Sequence, residues 1–253
     1  MTGQRGGYRA ISMSRRIIVD LMYFSRSFPL VSIERSIPFH KLAVARQNHP
    51  ERPPWSAIFA KAFGLAAEEF AVLRQAYFQF PFPYLYEFDE NTVSIAHELS
   101  VEGTASVLPV RIRSPEKLAL DAMRDKIDEM RDDDLWRRGF YRTAAIVSFL
   151  PFFLRRPIWW FALNVPRFRR RYFGTFNVTS VGTLGADLLT PLAPVTSLLT
   201  YGPLRNDGTV KVRLVFDHRV YDGATAARVL VRLEELLLGP ICDELSAWPP
   251  SKA

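Results

Sequence analysis

The stretch Asp217-His218-Arg219-Val220-Tyr221-Asp222-Gly223 decides how this chain is read. Before it, Val210, Val212, Leu214 and Phe216 alternate with Lys211, Arg213 and Val215, the period-two pattern of a half-buried strand. After it, Ala227, Leu230, Leu233 and Leu237 fall on one face of a helix, which Gly239-Pro240 is expected to close. A histidine and a carboxylate four residues apart thus sit where a strand turns into a helix. Such a turn holds a side chain rigidly while leaving its tip accessible, which is what a general base requires.

Composition points to one folded α/β domain. The chain has 253 residues, 48% of them apolar, enough for a substantial core. It contains no internal repeat, low-complexity tract or interdomain linker. The expected division is a loose N-terminus over 1–10, a single domain over 11–245 and a tail over 246–253. Cys242 is the one cysteine, so neither an internal disulfide nor a CxxC metal site can form. His40, His49, His97 and His218 show no metal-ligand spacing, and no Gly-rich phosphate loop is present, so no metal is expected. The N-terminus lacks a long apolar run followed by a small-residue cleavage site, which gives the expectation of a cytoplasmic protein.

Charge is unevenly spread. Nine arginines and no acidic residue lie between Leu135 and Ala186, more than the whole chain's net charge of +7. The same window carries Phe149, Phe152, Phe153, Trp159, Trp160, Phe161, Phe168, Tyr172 and Phe173, and 136–173 reads as an aromatic and basic insert. Neither of its apolar runs approaches the ~20 residues that span a bilayer, and Pro151 and Pro157 interrupt them. One reading is a buried helical hairpin or subunit interface. A second is a peripheral anchor on the inner membrane face, with Arg155, Arg156, Trp159, Trp160, Arg169, Arg170 and Arg171 on anionic lipid. Nucleic acid is not an expected partner, because the basic residues accompany apolar runs rather than stacking platforms in a polar groove.

The seven-residue stretch resembles the Asp-His-Arg-x-x-Asp-Gly signature of dihydrolipoyl acyltransferases of 2-oxoacid dehydrogenase complexes, within the chloramphenicol acetyltransferase-like superfamily. Weaker similarities follow in order along the chain. Ser14 to Met22 is similar to the family's first helix, and Val31 to Ile37 with Lys41, Leu42 and Arg46 to its first strand and next helix. Pro54 to Phe63 is similar to the helix leading into Pro-x-Leu-Asn, replaced here by Val72-Leu73-Arg74-Gln75. Val93 to Leu99 and Ser106 to Arg111 resemble the strands around the substrate channel, and Thr175 to Gly182 the Thr-Phe-Thr-Ile-Ser-Asn-Leu-Gly strand.

The resemblance implies a mixed β-sheet flanked by helices, assembled as a homotrimer with active sites between subunits. It implies an acyltransferase in which His218 is the general base, taking the proton of an acceptor thiol, hydroxyl or amine. Thr179 would be the hydroxyl donor to the oxyanion, with Ser180 the neighbouring candidate. Asp222 would pair with Arg15, or Arg16 as fallback, in a buried ion pair that holds the histidine loop. Gly223 would permit the tight path into the helix, and Asp217 and Arg219 are lesser candidates. No lipoyl domain or Pro/Ala-rich linker is present in the sequence, so the expected donor is a coenzyme A thioester, or an acyl-carrier protein, with no covalently bound lipoyl group. Alternatives are a catalytic core served by separate lipoyl proteins, or a non-catalytic trimeric scaffold. In this context the 136–173 insert has a third reading, as the lining of a pocket for a long acyl chain.

Overall fold

The computed structural model describes residues 7–8, 11–101, 104–129 and 139–247. In chain order they form α1 (Met13–Ser25), β1 (Leu30–Pro38), α2 (His40–Asn48), α3 (Trp55–Glu69), β2 (Gln75–Phe78), β3 (Tyr84–Glu87), β4 (Thr92–Val101) and β5 (Thr104–Arg113). There follow α4 (Leu120–Asp128), α5 (Gly139–Phe149), α6 (Phe152–Asn164), α7 (Pro166–Phe173), β6 (Phe176–Thr179), β7 (Ser197–Tyr201), β8 (Thr209–Asp217), α8 (Gly223–Leu236) and α9 (Cys242–Ser246). Most of the expected loose N-terminus, the tail from 248 and the first residues of the insert (136–138) lie outside the described residues.

Six strands form one mixed sheet in the order β1-β8-β7-β6-β4-β5, and β2 and β3 pair separately. The β7–β6 and β6–β4 pairs are parallel and the others antiparallel. Strand alternation divides the sheet's side chains between two faces. Val93, Ile95, Phe176, Val178, Leu199, Val212, Leu214 and Phe216 enter the main core. That core is closed by α3, whose sequence is apolar almost all round and whose residues from Ala57 to Gly64 are all buried. Phe63 meets Phe176 edge-on at 4.8 Å, and Phe59 stacks on Tyr201 at 4.0 Å. Gly64 is needed where α3 passes the 115–117 turn, since a Cβ there would lie 2.9 Å from Pro115 Cγ.

Two proline expectations are corrected. Gly239-Pro240 does not end the last helix: the chain widens into a π-turn over Leu237–Ile241 and continues as α9. The wider turn relieves the clash between a proline ring and the carbonyl one turn back, and Leu237, Ile241 and Leu245 stay buried throughout. Pro157 lies inside α6 rather than ending it. The carbonyl it leaves unpaired belongs to the exposed Phe153, where water can bond it.

The insert forms three consecutive helices, α5, α6 and α7, rather than a hairpin. With α1 they cover the second face of the sheet, the one carrying Ser94, Ala96, Asn177, Thr179 and Leu198.

Candidate active site

His218 stands just beyond the end of β8 on a turn braced from several directions. Its backbone N–H donates to Pro29 O at 3.2 Å, and Val220 N–H donates to Asp217 O at 3.0 Å. The Asp217 carboxylate is fully buried and accepts from Arg219 N at 3.0 Å, Nε at 2.9 Å and Nη2 at 2.6 Å. The same guanidinium lies over the rings of Tyr77, at 4.5 Å, and Phe28, at 5.1 Å. On the core side Tyr221 stacks on Phe216 at 4.8 Å, and its hydroxyl bonds Ser197 Oγ at 2.8 Å. Burial pushes the Tyr221 phenol well above its ordinary range, so it stays a neutral strut. His218 itself is exposed, its ring 5.8 Å from that of Phe216. A rigid turn with a free imidazole tip suits proton abstraction.

The structure corrects the expected Arg15–Asp222 pair. Asp222 is exposed and caps α8, accepting from Thr225 N–H at 3.1 Å. That hydrogen bond, followed by attraction to Arg228 and His218, holds its carboxyl below the usual aspartate range. Arg15 is also exposed, in the first turn of α1, where its backbone N–H donates to Ser12 Oγ. Arg16, the fallback, donates to the carbonyls of Ile11 and Ser148. The carboxylate that is buried against an arginine in this turn is Asp217, one of the lesser candidates. Gly223 opens α8 directly after the Asp222 cap, in open space where a Cβ would meet nothing within 4 Å, so the backbone there does not itself demand a glycine.

Thr179 ends β6 and lines a cavity of about 410 Å³ between the second sheet face and the helical layer. Ser180 is committed elsewhere: its hydroxyl donates to Tyr201 O at 2.7 Å and accepts from Gly182 N–H at 2.9 Å. Of the two candidates, Thr179 is the one whose side chain meets the cavity. Sequence reading missed its neighbours Ser94, Asn177 and Tyr172, because the first two converge through strand pairing and Tyr172 through the packing of α7 over the sheet.

Thr179 and His218 are far apart in one chain. Thr179 pairs with Thr200, which pairs with Arg213, five residues before His218 on an antiparallel strand. At about 3.3 Å per residue and about 4.8 Å per strand, the two residues are separated by roughly 19 Å, at opposite ends of the sheet.

The insert's arginines do not form one lipid-facing patch, which corrects the anchor expectation in part. Arg155 is buried against Asp20 of α1 in a two-pronged ion pair and also donates to the carbonyls of Ser148 and Leu150. Arg169 is buried too, donating to Tyr77 O at 3.0 Å, and its guanidinium is held down at about 10, chiefly by burial. Arg170 pairs with Asp89 at 2.5 Å, and Arg156 lies 3.9 Å from the Tyr23 ring centroid. Trp159 turns inward to Phe173, while Trp160, Phe152, Phe153 and Arg171 remain exposed. Among the described residues no helix is long and apolar enough to cross a membrane, and no cluster of three His, Cys, Asp or Glu could hold a metal.

Comparison with known structures places this architecture. A probable dihydrolipoamide acetyltransferase from Listeria monocytogenes superposes with a TM-score of 0.70 at 16% identity, covering 96% of this chain and 97% of the other. The truncated catalytic core of a 2-oxoacid dehydrogenase multienzyme complex from Thermoplasma acidophilum gives a TM-score of 0.68 at 16% identity, covering 93% and 99%.

The fold is that of a dihydrolipoamide acetyltransferase catalytic core.

The more distant chloramphenicol acetyltransferase shares it, with a TM-score of 0.53, 13% identity and coverage of 90% and 99%. No family model matches the sequence. A curated protein, the dihydrolipoyllysine-residue acetyltransferase component of the pyruvate dehydrogenase complex of Mycoplasma capricolum, is 32% identical over 80 residues. That match spans 26% of this chain and 18% of that protein. On the acetyltransferase-core fold, the strand–helix turn carries His218 and the end of the short parallel strand carries Thr179.

Proposed function

We propose that the chain is an acyltransferase that moves an acyl group from a coenzyme A or acyl-carrier thioester to a thiol, hydroxyl or amine. The observation that carries this reading is the exposed imidazole of His218 on its braced turn. The imidazole takes the proton from the acceptor, whose heteroatom attacks the thioester carbonyl. The Thr179 hydroxyl donates to the resulting oxyanion. The intermediate then collapses, the carbon–sulfur bond breaks, and the departing thiolate takes the proton back from the imidazolium. General-base chemistry of this kind accelerates reactions about 10²–10⁴-fold.

The ~19 Å between Thr179 and His218 supports a site shared between subunits of a homotrimer, one supplying the base and its neighbour the hydroxyl. A core served by separate lipoyl proteins is the second reading, favoured by the dihydrolipoamide acetyltransferase likeness. The exposed aromatic edge of α5 and α6, including Phe149, Phe152 and Phe153, supports peripheral membrane contact as a finer part of the proposal. Flotation with anionic vesicles, lost in Phe152→Asp, tests that part.

Thiol release from acyl-CoAs, measured with dihydrolipoamide and separately with a lipid extract as acceptor, tests the reaction. His218→Ala should lower turnover by about 10²–10⁴-fold with the assembly intact. Turnover confined to dihydrolipoamide would select the second reading. Equal turnover in wild type and His218→Ala would remove the histidine mechanism.

A further inference from the structure

We infer that the cavity between the sheet and the α1/α5–α7 layer receives the hydrocarbon chain of the donor, which makes the substrate class a medium- to long-chain acyl thioester. This rests on the acyltransfer reading and adds the identity of the acyl group. The cavity's volume, about 410 Å³, lies in the ~300–1,000 Å³ range of small-molecule sites. Its helical walls are mainly apolar, built by Leu21, Val147, Ile158, Trp159 and Ala162 among others. Ser94, Asn177 and Thr179 line the sheet floor, and Thr143, Ser148 and Tyr172 are polar residues among the mainly apolar helical lining.

One charged side chain enters the lining, and its charge is already answered. Arg155 is held by Asp20 and by two backbone carbonyls, so it offers no strong site to a free carboxylate. The lining therefore suits a neutral chain whose polar end remains beside Thr179. Such a pocket selects by length, because every methylene it removes from water contributes to binding. An acetyl group would leave most of the apolar wall uncovered.

The test is a calorimetric binding series with acetyl-, octanoyl- and tetradecanoyl-CoA on the intact assembly without acceptor, followed by kcat/KM for the same donors. Affinity should rise about fourfold per methylene until the cavity is full. Ala162→Trp on α6, or Val147→Phe on α5, should flatten that rise, with circular dichroism verifying the fold. If neither variant folds, the wild-type series decides alone. Equal affinity and equal kcat/KM across the three donors would overturn the assignment. A flat series in which Val147→Phe also breaks the trimer would give the cavity to a neighbouring subunit instead. Length-dependent binding without turnover on any acceptor would leave the pocket standing and remove the acyltransfer reading.

Discussion

At the scale of single residues, the buried ion pair expected of Asp222 belongs to Asp217 instead. Asp222 is a solvent-facing helix cap, whereas Asp217 is the buried anchor gripped by Arg219. Asparagine caps a helix about as well as aspartate, so Asp222→Asn should keep the wild-type Tm near neutral pH, while Asp222→Ala should lower it by about 2–4 °C in a thermal melt. The depressed Asp222 carboxyl also sets a sign for acid stability. Its contribution is present above the ordinary aspartate value and is lost as pH falls through the lowered one, so Asp222→Asn should flatten that acid limb. Asp217→Ala strips the partner from Arg219 and the nearby charge from buried Arg169. Its cost in a denaturant titration should be about 3 kcal/mol, at the low end for a buried pair because Arg219 can turn to water. Thr179 and Ser180 should separate kinetically. Thr179→Ala should cut kcat about 10²–10³-fold with little change in stability. Ser180→Ala should loosen the turn at Gly182, and if it produced the larger loss in kcat the oxyanion assignment would pass to it.

At the scale of elements, the helices of 139–173 are the part of the chain whose sequence was hardest to interpret. Their aromatic and basic composition suited a membrane edge, an interface or a pocket wall equally well. What separates these readings is where each arginine finds a partner. Arg155 lies 135 positions from Asp20, and no local pattern connects them. The same pair ties α6 to α1, with Arg155 in the cavity lining. Asp20→Ala leaves Arg155 buried without its carboxylate and should cost about 3–5 kcal/mol in chemical denaturation, whereas an Asp20→Leu/Arg155→Met double variant should recover much of that loss. The last helix shows the opposite case. Its apolar periodicity was legible to Leu237, but the π-turn through Pro240 depends on core contacts that hold the chain down after the expected stop.

At the scale of the whole molecule, the sheet order keeps the proposed base and the proposed oxyanion donor apart. A shared site makes a specific prediction. His218→Ala and Thr179→Ala are each impaired alone, yet co-assembled in equal amounts they should recover activity at about a quarter of the sites, because random assembly places intact partners across some interfaces. No recovery in a verified mixed trimer would argue for a site within one chain. A monomer in sedimentation at micromolar concentration would argue against the shared arrangement altogether.

The sequence by itself determined the strand–turn–helix around His218, the apolar faces of the mixed sheet and the likeness that led to this fold. These depend on periods of two and 3.6 residues and on side chains close in sequence. Tertiary structure decided the rest. It committed Ser180 to Tyr201 and left Thr179 on the cavity, buried Arg155 on Asp20, and placed His218 and Thr179 at opposite ends of the sheet. Each of those outcomes depends on strand order or on a partner distant in sequence, and neither is encoded in any local pattern.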